Sequence, residues 1–408
     1  MRFSYYPLAL FLIIFISCAK PDAVLPGASP KADSQNDESL SGSQCPQGNI
    51  GEAIEGRYIV TLKEAADTSL MIANIRERKR RVRSRVNELM EKKKLFCEVT
   101  HVYSAAFEGF AGALTDSAVK ALEEDPMIET VERDYFIGIG QTNRTKVSAL
   151  VGQVVPWGIR RIGQGGISAN TAWILDTGID ISHPDLNVDQ GRSASFVCSE
   201  PDLGDRNGHG THIAGIIGAL DNDFGVVGVA PGNVLVSVKV MDANGDGTVS
   251  NVMEGLDYVY QYARKGDVIN MSLTGGASSS LDQLTRKIAT EKNVYFAIAA
   301  GNESRDACVN SPQRVNHENV YTVTAMDSTD TFASFSNYGA CIDACAPGVM
   351  IASTYPNGQY AYLSGTSMAA PHVAGLLLQK NRVIQDGYAK NDPDGRADPI
   401  WVIDKVIH

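Results

Sequence analysis

Three short stretches of this 408-residue chain carry side chains whose types and settings could do chemistry. In RNGHGTHIAG, residues 206–215, His209 and His212 lie three positions apart among glycine, threonine and alanine. A helical metal pair of the H-E-x-x-H kind needs its histidines four apart with a glutamate between, and neither condition is met. That leaves two buried imidazoles, or one catalytic base and a bystander. GTSMAAPHVAG, residues 365–375, puts Ser367 behind Gly365 at the start of a strongly apolar helix. Free N–H groups and the positive end of the helix dipole face that position. ILDTGID, residues 174–180, closes an apolar run on Asp176, a carboxylate that is costly to bury unpaired. Nucleophilic catalysis needs such a set: a hydroxyl, an imidazole to take its proton, a carboxylate to hold the imidazole, and donors for the oxyanion.

Something must position these groups. TAWILDTGI, NVLVSVKV, GDVINMSL, NVYFAIAA and NVYTVTA are short, almost wholly apolar runs that alternate with helical patterns at 209–220, 249–264, 280–291 and 366–380. This is the α/β signature of a mostly parallel sheet covered on both faces. In such sheets chemistry collects beyond the carboxyl ends of the strands, where three of the runs end in Asp176, Ser272 and Asn302. Upstream, RYIVTL, a charged helix over 68–94, LFCEVTHVY, AFEGFAGAL, a short helix capped by Thr115, and MIETVERD give the order βαββαβ. That is a small ferredoxin-like α+β module.

DTGIDISHPDL, NGHGTHIAG and SGTSMAAPHVAG, in that order, resemble the three active-site signatures of the subtilisin-like serine proteases, peptidase family S8. PWGIRRIG, AAGN and SFSNYG are similar to its proteinase K-like branch. The likeness covers about residues 57–380. It implies the subtilisin-like three-layer fold and a serine endopeptidase that works through an acyl-enzyme. Carried over by motif, Asp176 orients the imidazole, His209 is the general base, Ser367 the nucleophile, and the Asn302 amide an oxyanion donor. His212 and His372 are then structural. The resemblance implies that Gly245, Asp246 and Gly247, after Asn244, and Ser272, Leu273 and Thr274, before Gly275, hold the substrate as a β-strand, with Ala300 and Gly301 beside them. Two residues depart from the family pattern. Thr274 stands where glycine is usual and should narrow the first pocket. Asp246 replaces a common serine and could favour basic side chains at the substrate's fourth position.

The small module resembles the family's inhibitory propeptide, a chaperone and inhibitor later cut off by the enzyme. The domain reading is therefore an export signal (1–18), a disordered linker (19–56), the propeptide (57–136), a linker with the maturation site (137–155) and the catalytic domain (156–408). The apolar run Leu8–Ile16 is too short to span a membrane, and with Ser17-Cys18 it resembles a bacterial lipoprotein signal, Cys18 being the lipidated residue. An ordinary secretory signal is the alternative. Residues 21–56, rich in Pro, Ser, Gly, Asp and Gln, would tether the rest with a reach of roughly 30–35 Å. Maturation would then part the catalytic domain from its membrane anchor.

The expected partners are polypeptide substrates and the chain's own propeptide. An excess of acidic residues, 47 against 36 basic, argues against nucleic acid. The basic run RERKRRVRSRVNELMEKKK is a solvated face, a nucleic-acid site, or a surface that docks on the large domain, where 17 basic residues meet 27 acidic ones over 151–408. No cofactor is needed for the chemistry. The resemblance implies a structural calcium site at the Pro312 and Arg314 carbonyls and Asp343. DANGDG begins like an EF-hand loop, but its twelfth position is Met253, so it is read as the substrate turn. A disulfide between Cys308 and Cys341 is implied by the relatives, whose second bridge is missing because Arg206 and Ala243 replace its cysteines. Cys198 with Cys345, and Cys45 with Cys97, are the pairs that remain. The rival to an enzyme is a lipid-anchored, non-catalytic binding protein on the same fold.

Overall fold

The computed structural model describes residues 46–63, 75–140, 143–147 and 152–404. The signal, Cys18 and most of the first linker lie outside them. The small module has the expected order: β1 (Ala53–Leu62), α1 (Ile75–Lys93), β2 (Cys97–Tyr103), β3 (Gly109–Leu114), α2 (Asp116–Glu123) and β4 (Ile128–Gly138). Its strands lie in the antiparallel order β4-β1-β3-β2. Highly charged α1 is held by one stripe, Val82, Val86, Leu89 and Met90, spaced to face Val60, Phe110 and Leu122. The Thr115 hydroxyl accepts the Ala118 N–H and starts α2.

In the large domain, strands Ala172–Asp176, Leu235–Lys239, Val268–Met271, Tyr295–Ala299, Val320–Met326 and Ala344–Pro347 run parallel. Helices α3 (Trp157–Ile162), α4 (His209–Gly218), α5 (Val249–Tyr262), α6 (Ser279–Lys292) and α7 (Thr366–Leu378) complete it. Side-chain alternation along each strand divides the core. Trp173 and Leu175 pack with Leu256, Leu281 and Phe296 on the α5–α6 side. Ile174 packs with Ile213, Ala369 and Val373 on the α4–α7 side. This is the three-layer α/β fold that the alternating runs predict.

Two segments differ from the sequence reading. The tail beyond 381 forms strands Val383–Tyr388 and Pro399–Ile403, and Ile400 pairs in parallel with Cys345 to widen the sheet. Ile400, Val402 and Ile403 are buried there against Ile159 and Ile162 of α3. The second linker is not featureless either: Asn143–Val147 is a strand, β5, antiparallel to Gln359–Ser364. Both segments take their order from partners far away in sequence, which local periodicity does not report.

The module docks by carboxylates placed at helix starts, where unpaired N–H groups and the dipole favour negative charge. Asp134 accepts from the Ser250 N–H and hydroxyl at α5, and Glu132 from those of Ser280 at α6. The basic face of α1 contributes Lys79, 2.8 Å from Glu254. In the reverse direction, Asp257 of α5 takes the N–H groups of Ser104, Ala105 and Ala106 at 2.7–3.1 Å. Burial pushes the Asp257 carboxyl up, and these donors oppose the shift. Removing a charged acceptor of this kind costs about 1.5–3 kcal/mol. Asp257→Ala should therefore weaken the binding of a separately produced small module to the large domain roughly 10- to 100-fold, read as their dissociation constant. An unchanged constant would show that this contact contributes nothing to docking.

Candidate active site

Asp176 ends its strand fully buried, at 0% exposure, and the turn after it leads toward α4. Gly208, immediately before α4, has φ +103°, and a β-carbon there would lie 2.2 Å from the Tyr355 ring, so only glycine fits. Asp205 fastens this turn. It accepts the N–H groups of Gly208 and Thr211 and the hydroxyls of Thr177 and Thr211. His209 thereby emerges as the first residue of α4, with Nδ1 donating to Asp176 Oδ1 across 2.8 Å. A proton on Nδ1 leaves Nε2 as the basic atom. Buried Nε2 has no partner among the described residues.

Ser367 lies in the first turn of α7, buried, with its hydroxyl 3.5 Å from the Ser272 carbonyl. Ser272 fixes the backbone at this point. Its hydroxyl donates to the Ser367 carbonyl at 3.0 Å and accepts from Asn270 Nδ2 at 2.9 Å. Asn302 Oδ1 accepts both the N–H and the hydroxyl of Thr366 at 2.9 Å, which turns its amide nitrogen to the cleft. A β-carbon placed on Gly140, two residues beyond β4, would lie 3.1 Å from that nitrogen.

The cleft is a gap between two short strands, Asp246–Thr248 and Thr274–Gly275, and β4 fills it. Gly138 stands opposite Asp246 and Thr274, and Ile137 opposite Gly247 and Gly275. The Ile139 N–H donates to the Gly245 carbonyl at 3.0 Å. Leu273, Ala300 and Gly301 are buried behind these edges. DANGDG serves as the turn: Asp242 Oδ1 takes the N–H groups of Asn244 and Asp246.

His212 Nε2 lies 3.1 Å from the carbonyls of both Ile351 and Ala361, and burial drives its pKa down to about 3. His372 donates through Nδ1 to the Met368 carbonyl, with its pKa lowered by burial to about 4. Both rings are neutral struts. Asp343 accepts the Thr322 N–H at 2.8 Å and is pushed up to about 6 by burial, while the Pro312 carbonyl accepts from Val315 N–H. The Arg314 side chain turns to Asp282.

Cys308 and Cys341 are bonded. The other two expected pairs do not form. Cys345 is a free thiol inside the sheet, and Cys97 is free on β2. Cys198 is itself disulfide-bonded, and Cys45 lies outside the described residues. Spacing carries no information on depth, and Cys345 is walled off by the core around Ile400. Glu200 links Arg206 and Ala243, accepting from the Arg206 guanidinium at 3.0 Å and the Ala243 N–H at 2.9 Å. It also pairs with fully buried Lys239 at 2.6 Å. Asp205, Glu200, Thr366 and Asn270 were not singled out from the sequence. The Asp three positions before Gly208 was a readable turn signal, whereas the others act across the fold.

Comparison with known proteins agrees with this geometry. Residues 173–386 match the Subtilase family, and residues 57–139 match Peptidase inhibitor I9. A thermostable alkaline protease of Halalkalibacterium halodurans is 43% identical over 277 residues, covering 66% of this chain and 71% of the relative. An extracellular serine proteinase of a Thermus species is 36% identical over 400 residues, covering 91% and 89%. The crystal structure of a cold adapted subtilisin-like serine proteinase matches with a TM-score of 0.52 at 36% identity, covering 64% of this chain and 100% of that one. With residues 173–386 matching the family and a relative 36% identical over 91% of this length, the chain belongs to the subtilase family of serine proteases.

Proposed function

We propose that this subtilase is an exported endopeptidase made as a self-inhibited precursor. Ser367 attacks the substrate carbonyl, its proton passes to His209 Nε2, and the Ser367 N–H with the Asn302 amide holds the oxyanion. His209 then returns the proton to the leaving amine, and water releases the acyl group by the reverse sequence. The observation that carries this reading is the 2.8 Å bond from His209 Nδ1 to buried Asp176, which leaves Nε2 unpaired. A non-catalytic binding protein would have no need of a buried carboxylate held in this way. A fluorophosphonate probe should label the processed enzyme, should not label Ser367→Ala, and should be indifferent to chelators. Asn302→Ala should lower kcat by about 100- to 1000-fold. Processed wild-type protein that takes no label would favour the binding protein.

Calcium at the Pro312 and Arg314 carbonyls and Asp343 fits the chemistry of a hard cation, since Asp343 is a half-buried carboxylate with one backbone donor. Calcium should raise the melting temperature by about 5–10 °C over a chelated sample, and Asp343→Asn should lose most of that gain. Equal melting with and without calcium would reject the site.

Export is supported by the N-terminal apolar run and by the Thermus relative described as extracellular. In our reading Cys18 carries a lipid in the precursor. Cleavage after the propeptide would then part the enzyme from that anchor. Mass spectrometry of the fully processed enzyme should find no fatty acyl group, and an acyl group still attached would reject this reading.

A further inference from the structure

We infer that Glu200, held by the buried ammonium of Lys239, is a positioning residue that fixes one edge of the cleft, at Ala243, to the loop that delivers His209. The inference rests on the protease reading above and names a further residue on which that site depends.

The anchor is Lys239, at 0% exposure in the strand position paired with Asp176. A buried ammonium is tolerable only among acceptors, and Nζ has two, Glu200 Oε2 and the Gly204 carbonyl, each at 2.6 Å. Both belong to the loop over 200–208 that ends at His209. The loop therefore cannot leave the Asp176 strand without stranding a charge. Burial raises the Glu200 carboxyl, but its donors Lys239, Ala243 and Arg206 outweigh that effect and hold it below its ordinary range, so it stays ionised.

The other Glu200 oxygen faces the cleft edge. Oε1 accepts the Ala243 N–H at 2.9 Å, and the Ala243 carbonyl accepts from Asn207 Nδ2 at 3.0 Å. Both backbone groups of Ala243 are thus taken by the histidine loop. Asn207 Oδ1 in turn accepts the His209 N–H at 3.2 Å. Two residues beyond Ala243 the edge itself begins, where the Gly245 carbonyl, Asp246 and Gly247 meet the extended chain lying in the cleft. The distance from base to edge is therefore set by these bonds. Ser367 is supported separately, through the Ser272 hydroxyl.

This division makes the role of Glu200 separable from the chemistry. Its partners Lys239, Arg206 and the Ala243 N–H are all donors, so an amide in its place must turn an N–H at one of them. The buried ammonium claims the oxygen, and the amide nitrogen is left against Ala243. Loss of a charged acceptor there loosens the edge, which weakens binding of any substrate long enough to lie along it.

Glu200→Gln should raise KM for a tetrapeptide amide at least ~10-fold while kcat stays within ~3-fold. KM for a single-residue ester, too short to lie along the edge, should move by less than ~2-fold. The double variant Glu200→Leu/Lys239→Met removes the buried charge together with its partner, so it should fold and melt near the wild type. Its KM for the tetrapeptide should stay raised at least ~10-fold, because the Ala243 N–H still lacks its acceptor. A KM restored in the double variant would show that Glu200 serves only to neutralise Lys239, and would overturn the inference. Equal losses on the two substrates, or a fall in kcat alone, would overturn it as well. With wild-type enzyme that takes the fluorophosphonate label, these outcomes reject this inference alone, whereas absence of labelling rejects the protease reading beneath it.

Discussion

A carboxylate at zero exposure is an expensive thing to fold, and Asp176 is tolerable because His209 Nδ1 and the Thr177 N–H both donate to it at 2.8 Å. Much of the catalytic domain is organised to keep that contact. The parallel strand beneath sets the depth of Asp176, pairing it with Lys239, whose buried ammonium is answered by Glu200. Asp205 pins the turn that delivers His209 at the head of α4, and Tyr355 closes over Gly208 so that the turn has one available path. The hydrogen bond in turn places the proton on Nδ1 and leaves Nε2 free to accept one. Orientation and tautomer are thus consequences of packing.

The second constraint is the gap in the sheet between Asp246–Thr248 and Thr274–Gly275. An unpaired strand edge is a ready template for an incoming chain. Here it is covered by β4, which supplies main-chain partners on both sides. The remainder of the small module secures β4 through carboxylates at the starts of α5 and α6 and through Asp257 in the opposite sense. In the proposed function, inhibition and recognition use the same backbone bonds. Side chains matter at the few places where the pleat turns them toward the enzyme, such as Ile137, or where an unusual residue such as Thr274 takes up room.

Much of this was legible from residue order. The apolar runs were buried strands because both faces of a covered parallel sheet demand apolar residues. The α4 and α7 helices begin immediately after Gly208 and Gly365. Elsewhere the signal was weak for identifiable reasons. Pro399–Ile403 has too few residues to show a period, and it becomes a strand because Cys345 offers an edge. Cys345 and Cys198 looked like partners in a count of cysteines, but one lies inside the sheet while the other is bonded elsewhere. The Glu200 link went unseen because Glu200 reaches Arg206 and Ala243 through space.

The sequence by itself determined the layer order of both domains and the identities of the residues at Asp176, His209, Asn302 and Ser367, because periodicity and motif are properties of neighbouring positions. Only the tertiary structure decided that His209 Nδ1 meets Asp176, that His212 is a strut between two carbonyls, and that Gly140 stands at the Asn302 amide. These are contacts between segments separated by tens to hundreds of residues. Their geometry comes from strand register and core packing, which no local pattern encodes.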